Sequence, residues 1–522
     1  MNENKKSSLW TVIGASSVGT MIEWYDFYIF GSLATIISTK FFPSDNPTAA
    51  FLSTLATFAA GFVVRPFGAL FFGRLGDLIG RKYTFMVTLV LMGGATFLIG
   101  CIPSYETIGF LAPTLVLILR LLQGLALGGE YGGAATYVAE HAGPGQRGYW
   151  TSWIQTTATI GLFVSLIVIM TTKSSMSKEA FEDWGWRVPF WVSILMILVS
   201  YMIRKNMSES PEFAKVKAEG KTSKNPLKES FGNKLNFKFV LLALFGLVMG
   251  QGVVWYTGQF YAMSFIEKVM GLSDQVGDIM MYAILMATPF FVFFGWISDK
   301  IGRKWLMLAG ILIAVVAYRP IYRAMYETAS IKNKTEITEK TVVLAETKEN
   351  KAKALDSVYT TTKEFTDGAT WKEVKTVTLE NGVAKIGDDG KPKVEVKKTM
   401  VVNESDKWTL VWLVFIQIFL VTVVYGPTAA FLVELFPAKI RYTSMSLPYH
   451  IGNGIFGGLL PAVATSLVAA ATKANDAAAE AGQAVAVAEP YLEGLWYPII
   501  IGAICFVIGA IYVDGKSTSH KE

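Results

Sequence analysis

Long apolar runs, repeated along the whole chain, limit the possible fold more than any other feature of this sequence. Most are about twenty residues long, the length of a helix that crosses the hydrocarbon core of a bilayer. Only 17% of the 522 residues are charged, whereas soluble domains average about a quarter. The sequence therefore predicts an all-α polytopic membrane protein with twelve transmembrane helices. The predicted spans are 11–39, 51–73, 83–102, 112–138, 149–171, 187–205, 238–262, 276–297, 304–326, 408–433, 443–470 and 493–513.

Two short charged connections repeat one pattern in the two halves of the chain. The first reads GRLGDLIGRK and starts at Gly73, and the second reads GWISDKIGRK and starts at Gly295. A preference of basic residues for cytoplasmic loops does not explain the shared Asp and Gly positions. The repeat predicts two related six-helix bundles. We expect the turns to be gating elements, each holding its own bundle on the cytoplasmic side. The predicted gating residues are Gly73, Asp77, Arg81, Gly295, Asp299 and Arg303.

These patterns also set the expected domain boundaries and topology. An N-terminal bundle covers 1–206, a cytoplasmic linker covers 207–237, and a C-terminal bundle covers 238–522 with an insert at 328–406. Lys and Arg concentrate in the short connections on the side of the charged turns. Because positive loops stay inside, both termini are predicted to be cytoplasmic.

The insert is about eighty polar residues in an outer loop between helices 9 and 10. TVTLENGVAKI alternates, and its Asn381-Gly382 dipeptide favours a two-residue hairpin turn. VEVKKTMVV predicts a further strand and ETKENKAKALDSVY a short helix. We predict a small extracytoplasmic α+β cap, with a disordered insert as the alternative. Because it hangs from one outer loop, we expect transport to continue without it.

Five charged residues fall in the middle of predicted spans, all in the first half. They are Glu23, Asp26, Arg65, Arg120 and Glu130. Such charges are costly and usually functional. Glu23 and Asp26 share a helix face, whereas Arg120 and Glu130 are separated by about 15 Å along one helix. Three acids against two arginines favour the protonation of one carboxyl group, as a proton carrier requires. A static buried network that holds the helices together is the alternative.

The mid-span polar residues of the second half are uncharged, which favours hydrogen bonding and shape recognition. We predict proton coupling by Asp26, with Glu130 second and Glu23 as the neighbour that raises the pKa of the pair. Arg120 suits a substrate carboxylate because its planar fork matches two oxygens. His450 is either a ligand or a packing residue. The predicted substrate-binding residues are Arg120, Arg65, Tyr256, Gln259, Tyr449, His450 and Asn453.

Other function classes find no support in the sequence. The glycine-rich segment GLALGGEYGGAA lacks the Gly-Lys-Ser/Thr end of a phosphate loop. Catalytic motifs and metal-ligand spacings are missing, and the net charge of +6 lies in loops. We therefore predict no enzyme activity, no catalytic residues, no cofactor, no metal and no nucleic-acid partner, with a gradient as the energy source.

Several segments resemble a known family. The charged turn and its repeat resemble the signature loop of the major facilitator superfamily, and RLLQGLALGG resembles its helix-four motif, with Arg120 in the arginine position. Segments similar to metabolite:proton symporters are EWYDFYIFG, FVVRPFGALFFGRLGD, GGEYGGAATYVAE, GWRVPF and AAFLVELFPAKIRYTSMSLPYHIGNGIFGGLLP. The resemblance implies the major facilitator fold, a cavity open alternately to each side, and a place in the bacterial cytoplasmic (inner) membrane. Members carry α-ketoglutarate, citrate, dicarboxylates, shikimate, proline or betaine.

The sequence thus predicts a proton-coupled importer of a small organic acid, such as a di- or tricarboxylate or α-ketoglutarate. A proton symporter of a zwitterionic osmolyte is one alternative, and a membrane receptor that binds a ligand through the insert is another. The expected partners are the small-molecule substrate, protons and the lipid bilayer. We expect the protein to function as a monomer.

Overall fold

The computed structural model describes residues 9–42, 53–54, 56–57, 60–205, 207–349, 355–380, 383–386 and 394–514. Twelve long helical segments follow one another along this part of the chain, which confirms the predicted helical membrane fold. They are α1 (Leu9–Ser32, continued by Ala34–Phe41), α2 (Arg65–Leu78), α3 (Arg81–Ile99), α4 (Leu111–His141), α5 (Arg147–Ser174), α6 (Gly185–Lys205), α7 (Lys234–Val269), α8 (Val276–Ile301), α9 (Arg303–Ala329), α10 (Glu404–Leu435), α11 (Arg441–Glu480) and α12 (Pro490–Tyr512). By length and composition alone, the ten from α3 to α12 could each cross a membrane.

The helices form two bundles of six, α1–α6 and α7–α12. Within the first bundle α4 packs against α2 and α3, and α1 packs against α5; within the second, α10 packs against α8 and α9. The two most extensive contacts between the bundles are those of α11 with α2 and of α8 with α5. Large apolar side chains such as Phe67, Ile167 and Val316 are exposed on the outer helix faces. Such a surface suits lipid rather than water.

The charged turns form the tight connections from α2 to α3 and from α8 to α9. Each turn contains a glycine with positive φ, Gly80 at 128° and Gly302 at 90°, where a side chain would be strained. This explains why the two glycines recur in the sequence. Below, the charged-turn end is the end of the molecule that carries these turns, and the insert end is the opposite one.

The insert forms a five-stranded antiparallel sheet. Its strands are β1 (Val342–Glu349), β2 (Leu355–Glu364), β3 (Thr370–Glu380), β4 (Val383–Ala384) and β5 (Val394–Val401). The order is β1-β2-β3-β4, and β5 also pairs with β3. Asn381-Gly382 lies outside the described residues, although Glu380 stands opposite Val383. The predicted strand VEVKKTMVV is confirmed as β5.

The short helix predicted for ETKENKAKALDSVY is wrong wherever this segment is described. Its two ends belong to β1 and β2, with Glu346 opposite Val358. The following run of Thr and Tyr residues in β2 explains the difference, because β-branched and aromatic side chains favour strands when a partner strand is available.

The insert is attached to the second bundle at more than its own loop. Met400 N donates to the carbonyl of Gly271 at 2.8 Å, in the α7–α8 connection. Gln275 and the backbone of Val402 exchange two hydrogen bonds of 2.9 Å. Phe365 and Met400 are also buried in the apolar core of that bundle. The expectation that the insert hangs from one loop is therefore wrong, whereas its dispensability for transport stays a prediction.

Candidate functional site

Asp26 and Arg120 form a buried ion pair that joins α1 to α4. Arg120 Nη1 lies 2.8 Å from Asp26 Oδ2 and 2.7 Å from the Gln123 side-chain oxygen. Gln123 Nε2 donates to Asp26 Oδ1 at 2.9 Å and to Thr96 on α3 at 2.8 Å. Arg120 therefore meets a protein carboxylate in this state, and Gln123 is a polar partner that the sequence analysis missed.

Glu130 pairs with an arginine at the end of the predicted span 187–205, which the sequence analysis did not count among the mid-span charges. Arg204, near the end of α6, places Nη2 2.7 Å from Glu130 Oε1, and Thr88 donates to Oε2 at 2.7 Å. A Cβ added to Gly19 would lie within 2.0 Å of atoms of both side chains, so a larger residue there would displace this pair. The count of three acids against two arginines is therefore wrong, because a third guanidinium is buried with them.

Glu23 and Arg65 form the loosest of the three pairs. Arg65 Nη1 lies 3.5 Å from Glu23 Oε1, and the side chains are 16% and 12% exposed. Glu23 and Asp26 share the helix face as predicted, but each faces its own guanidinium rather than the other carboxyl. The coupling of these two carboxyls stays a prediction.

The Glu23–Arg65 pair borders a small cavity between the two bundles. Tyr256 and Trp255 of α7 line its opposite side, and its volume is about 20 Å³, room for about one water molecule. The ring of Trp255 lies 5.1 Å from that of Trp24. A substrate can therefore reach the pair only when the bundles separate.

The other predicted residues of the second bundle lie outside the lining of this cavity. Tyr449 stacks on Tyr131 of α4 at 3.7 Å between ring centres and shares a 2.5 Å hydrogen bond with Tyr425. Gln251 and Asn453 exchange two amide hydrogen bonds, of 3.1 and 2.9 Å. These contacts join α4 to α11 and α7 to α11. Gln259 and His450 are also buried.

At the charged-turn end, each turn aspartate bonds to the opposite bundle. Asp77 accepts hydrogen bonds from the backbone and the hydroxyl of Thr443, at 2.8 and 2.6 Å, at the start of α11. Asp299 accepts from the backbone N–H groups of Gly148 and Tyr149, at 2.8 and 2.7 Å, at the start of α5. The expectation that each turn holds its own bundle is therefore wrong for these hydrogen bonds, which cross to the opposite bundle. Helix N-termini offer free N–H groups and a positive dipole end, which attract an aspartate.

The glycines and arginines of the turns complete these contacts. Arg81 and Arg303 pair with the aspartate four residues before them, at 2.8 and 3.0 Å. A Cβ on Gly73 would lie 2.9 Å from the backbone of Thr443, and one on Gly295 would lie 2.4 Å from Ser152. All six predicted gating residues therefore lie at the contacts of α2 with α11 and of α8 with α5.

Three further glutamates extend the network, and the sequence analysis missed them. Glu140 pairs with Arg441 at 2.9 Å and with Arg81 at 3.4 Å, and Glu434 pairs with Arg303 at 2.5 Å. Glu212, in the linker helix Pro211–Ala218, contacts both Arg147 and Arg441. The internal repeat could have indicated Glu140 and Glu434, because Glu140 precedes Arg147 by the same seven residues that separate Glu434 from Arg441.

Within the described part of the chain, no three His, Cys, Asp or Glu side chains are grouped so that they could hold a metal ion. The candidate functional groups are instead the ion pairs at the centre of the molecule and those at the charged-turn end.

The comparisons with known proteins agree with this architecture. The family model "Sugar (and other) transporter" matches residues 11–338. The α-ketoglutarate permease of Escherichia coli K12 is 34% identical over 63% of this chain and 74% of its own length. The proline/betaine transporter of the same strain is 34% identical over 59% and 63%, so the chain spans less than two thirds of that relative. The citrate-proton symporter of Klebsiella pneumoniae is 28% identical over 86% and 83%.

Among solved structures, the proton:xylose symporter XylE bound to 6-bromo-6-deoxy-D-glucose matches with a TM-score of 0.65. The alignment covers 98% of both chains at 15% identity, which shows a shared fold. The predicted resemblance and fold class are thereby confirmed. The chain belongs to the sugar (and other) transporter family of the major facilitator superfamily, whose members are membrane transporters.

Proposed function

We propose that this protein is a proton-coupled symporter that imports a small organic acid by alternating access. The Glu23–Arg65 pair carries the proposal, because it is the loosest of the three mid-span pairs and borders the cavity between the bundles. Relatives named for α-ketoglutarate and for citrate-proton symport support both the substrate class and the coupling.

Glu23 is the best candidate for the proton acceptor. Asp26 is held by Arg120 and Gln123 at 2.8 and 2.9 Å. Glu23, by contrast, accepts no hydrogen bond from the described residues, and its ion-pair distance is 3.5 Å. A carboxylate held less tightly loses less when it accepts a proton. Protonation of Glu23 would therefore cost less free energy than protonation of Asp26, the residue that the sequence alone favoured.

The same pair supplies a mechanism for coupling. A proton on Glu23 removes the partner of Arg65, whose guanidinium can then bind a substrate carboxylate. When substrate and proton leave, the Glu23–Arg65 pair forms again. Competition between the carboxylate of the protein and that of the substrate thus links the two movements.

Access would change by separation of the bundles at one end while the other stays closed. In this structure the charged-turn end is closed by Asp77 and Asp299. We place that end and both termini on the cytoplasmic side of the inner membrane, because basic residues concentrate in its loops. Substrate would then enter from the insert end. Nothing in the mechanism requires a second copy, and we keep the proposal of a monomer.

Uptake by proteoliposomes tests the proposal. Labelled α-ketoglutarate, citrate and betaine are offered with an imposed inward proton gradient. We expect Glu23→Gln to lose gradient-driven accumulation of the acid but to keep exchange at equal concentrations. Glu182→Gln, an exposed carboxyl in the short helix Lys178–Asp183, is the matched control. Accumulation by Glu23→Gln at the wild-type level would contradict the assignment.

A zwitterionic osmolyte is the second candidate substrate, favoured by the proline/betaine relatives. It would show itself as proton-driven accumulation of betaine without accumulation of either acid. A receptor, in contrast, would accumulate none of the three compounds.

A further inference from the structure

A cavity of about 400 Å³ lies between the inserted sheet and the ends of α7 and α9. Its floor includes Tyr326 near the end of α9, and its roof includes Trp371 of β3 and Met400 of β5. Cavities of this size are typical of sites for small organic molecules. This one exists only because the sheet lies on the helix ends, and the proposed transport mechanism does not use it.

The charged side chains that line the cavity are all positive. Lys268, Lys332 and Lys398 line the cavity, and its described lining includes no Asp or Glu. No ion pair within the described residues engages Lys268 or Lys332, and Lys398 has only a 3.7 Å contact with Glu373. Three ammonium groups around one cavity favour an anion there.

The remaining lining restricts the kind of anion. Trp371 and Tyr326 offer flat apolar surfaces, and Tyr326 is itself stacked on Tyr491 at 3.9 Å. Such a cavity favours a molecule with a carbon body over a bare inorganic ion. Strands β3 and β5 cover it, whereas a lipid headgroup lies beside helices at the membrane surface. We propose that the cavity is a second binding site, outside the transport pathway, for a small organic anion with two or three carboxylates.

Binding at this site would act on the transporter through existing contacts. The cavity wall includes Gly271, whose carbonyl accepts the hydrogen bond from Met400 N. A ligand that contacts both the sheet and Lys268 at the end of α7 strengthens this attachment. The site therefore connects the insert to the helix that carries Tyr256.

The test uses the full chain in nanodiscs of neutral phosphatidylcholine, with 5-fluorotryptophan incorporated. The ¹⁹F resonance of Trp371 is assigned with Trp371→Phe, and citrate is the probe. We expect a saturable shift of this resonance. In the triple variant Lys268→Gln/Lys332→Gln/Lys398→Gln, the apparent Kd for citrate should rise at least tenfold.

The matched control is Lys340→Gln/Lys372→Gln/Lys397→Gln, which removes three lysines of the insert that do not line the cavity. It should bind citrate like the wild type. The triple variant is checked for folding by its Trp371 resonance without citrate, and Lys398→Gln alone provides a milder change. Lys268 also lies in the last turn of α7, where a positive charge stabilises a helix, but a purely structural role would not alter a citrate titration.

Arg65→Gln separates this proposal from the transport mechanism. It should impair acid uptake and leave the citrate shift of Trp371 unchanged. Four results would overturn the second site: no saturable shift, an equal Kd in the two triple variants, loss of the shift in Arg65→Gln, or a shift caused by phosphatidylglycerol in the nanodisc and not by citrate. The last would identify a lipid headgroup as the occupant.

Discussion

Replacement of Asp77 by asparagine should weaken the closure of the charged-turn end. Asp77 accepts three hydrogen bonds from the other bundle, from Thr443 N at 2.8 Å, Thr443 Oγ1 at 2.6 Å and Tyr442 N at 3.3 Å. Its bond to Arg81 stays within one bundle. The three bonds between bundles exist only while this end is closed, so their loss destabilises that state alone.

The expected size follows from the chemistry of the substitution. Asparagine keeps one carbonyl oxygen but loses the charge and turns an NH₂ group toward donors. A hydrogen bond to a charged group contributes about 1.5–3 kcal/mol, and the change removes at least one of them. A shift of about 3 kcal/mol toward the open state changes the ratio of states by about 100-fold.

Distances between spin labels measure this ratio. Nitroxides at Tyr83 on α3 and Trp305 on α9 report on the two bundles, because both side chains are exposed near the charged-turn end. The exposed Cys101 is replaced by serine beforehand. The variant should populate a longer distance that is rare in the wild type, and uptake should slow. Asp183→Asn, an exposed acid at the insert end, is the control. Wild-type distances together with wild-type uptake would refute the gating argument.

The other predictions concern stability and the insert. Arg204→Gln should lower the free energy of unfolding by about 3–5 kcal/mol, because it leaves Glu130 buried without its charge partner. In thermal unfolding, the double variant with Glu130→Gln should recover part of this loss. Wild-type stability of Arg204→Gln would contradict the prediction. Burial raises the pKa of Asp367, but hydrogen bonds from Lys334 and Ala369 outweigh this and hold it below the ordinary 3.8. Because the folded carboxyl binds a proton less readily than the unfolded one, this stabilisation is complete above about pH 4 and lost below it. Amide-exchange protection of β3 should therefore fall in acid for the wild type, and Asp367→Asn should remove this dependence. Replacement of residues 332–402 by a Gly/Ser linker should leave uptake active. It should lower the melting temperature, because Met400 and Phe365 are removed from the apolar core. Loss of uptake in a folded variant would contradict the prediction that the insert is dispensable for transport.

The sequence alone determined the fold class, because the length and number of apolar runs leave a multi-span helical protein as the reasonable outcome. It also singled out the turn residues, although it assigned each turn to its own bundle and the structure shows contacts with the opposite one. Asp77 and Asp299 recur with their glycines at the same offset, and this repeated sequence pattern corresponds to a contact that occurs twice in the structure. The mid-span charges were found for a similar reason, since a charge in lipid needs an explanation.

Only the tertiary structure decided the partners. Arg204 was not counted among the mid-span charges, because its position at the end of a predicted span says nothing about the direction of its long side chain. Glu23 and Asp26 looked like one coupled pair, because helical spacing shows a shared face but not the guanidinium that approaches each carboxyl from another helix. The contacts of Asp77 with α11 and of β5 with Gly271 join residues far apart in the chain. Such contacts depend on how packed elements meet in space, and no local pattern encodes them.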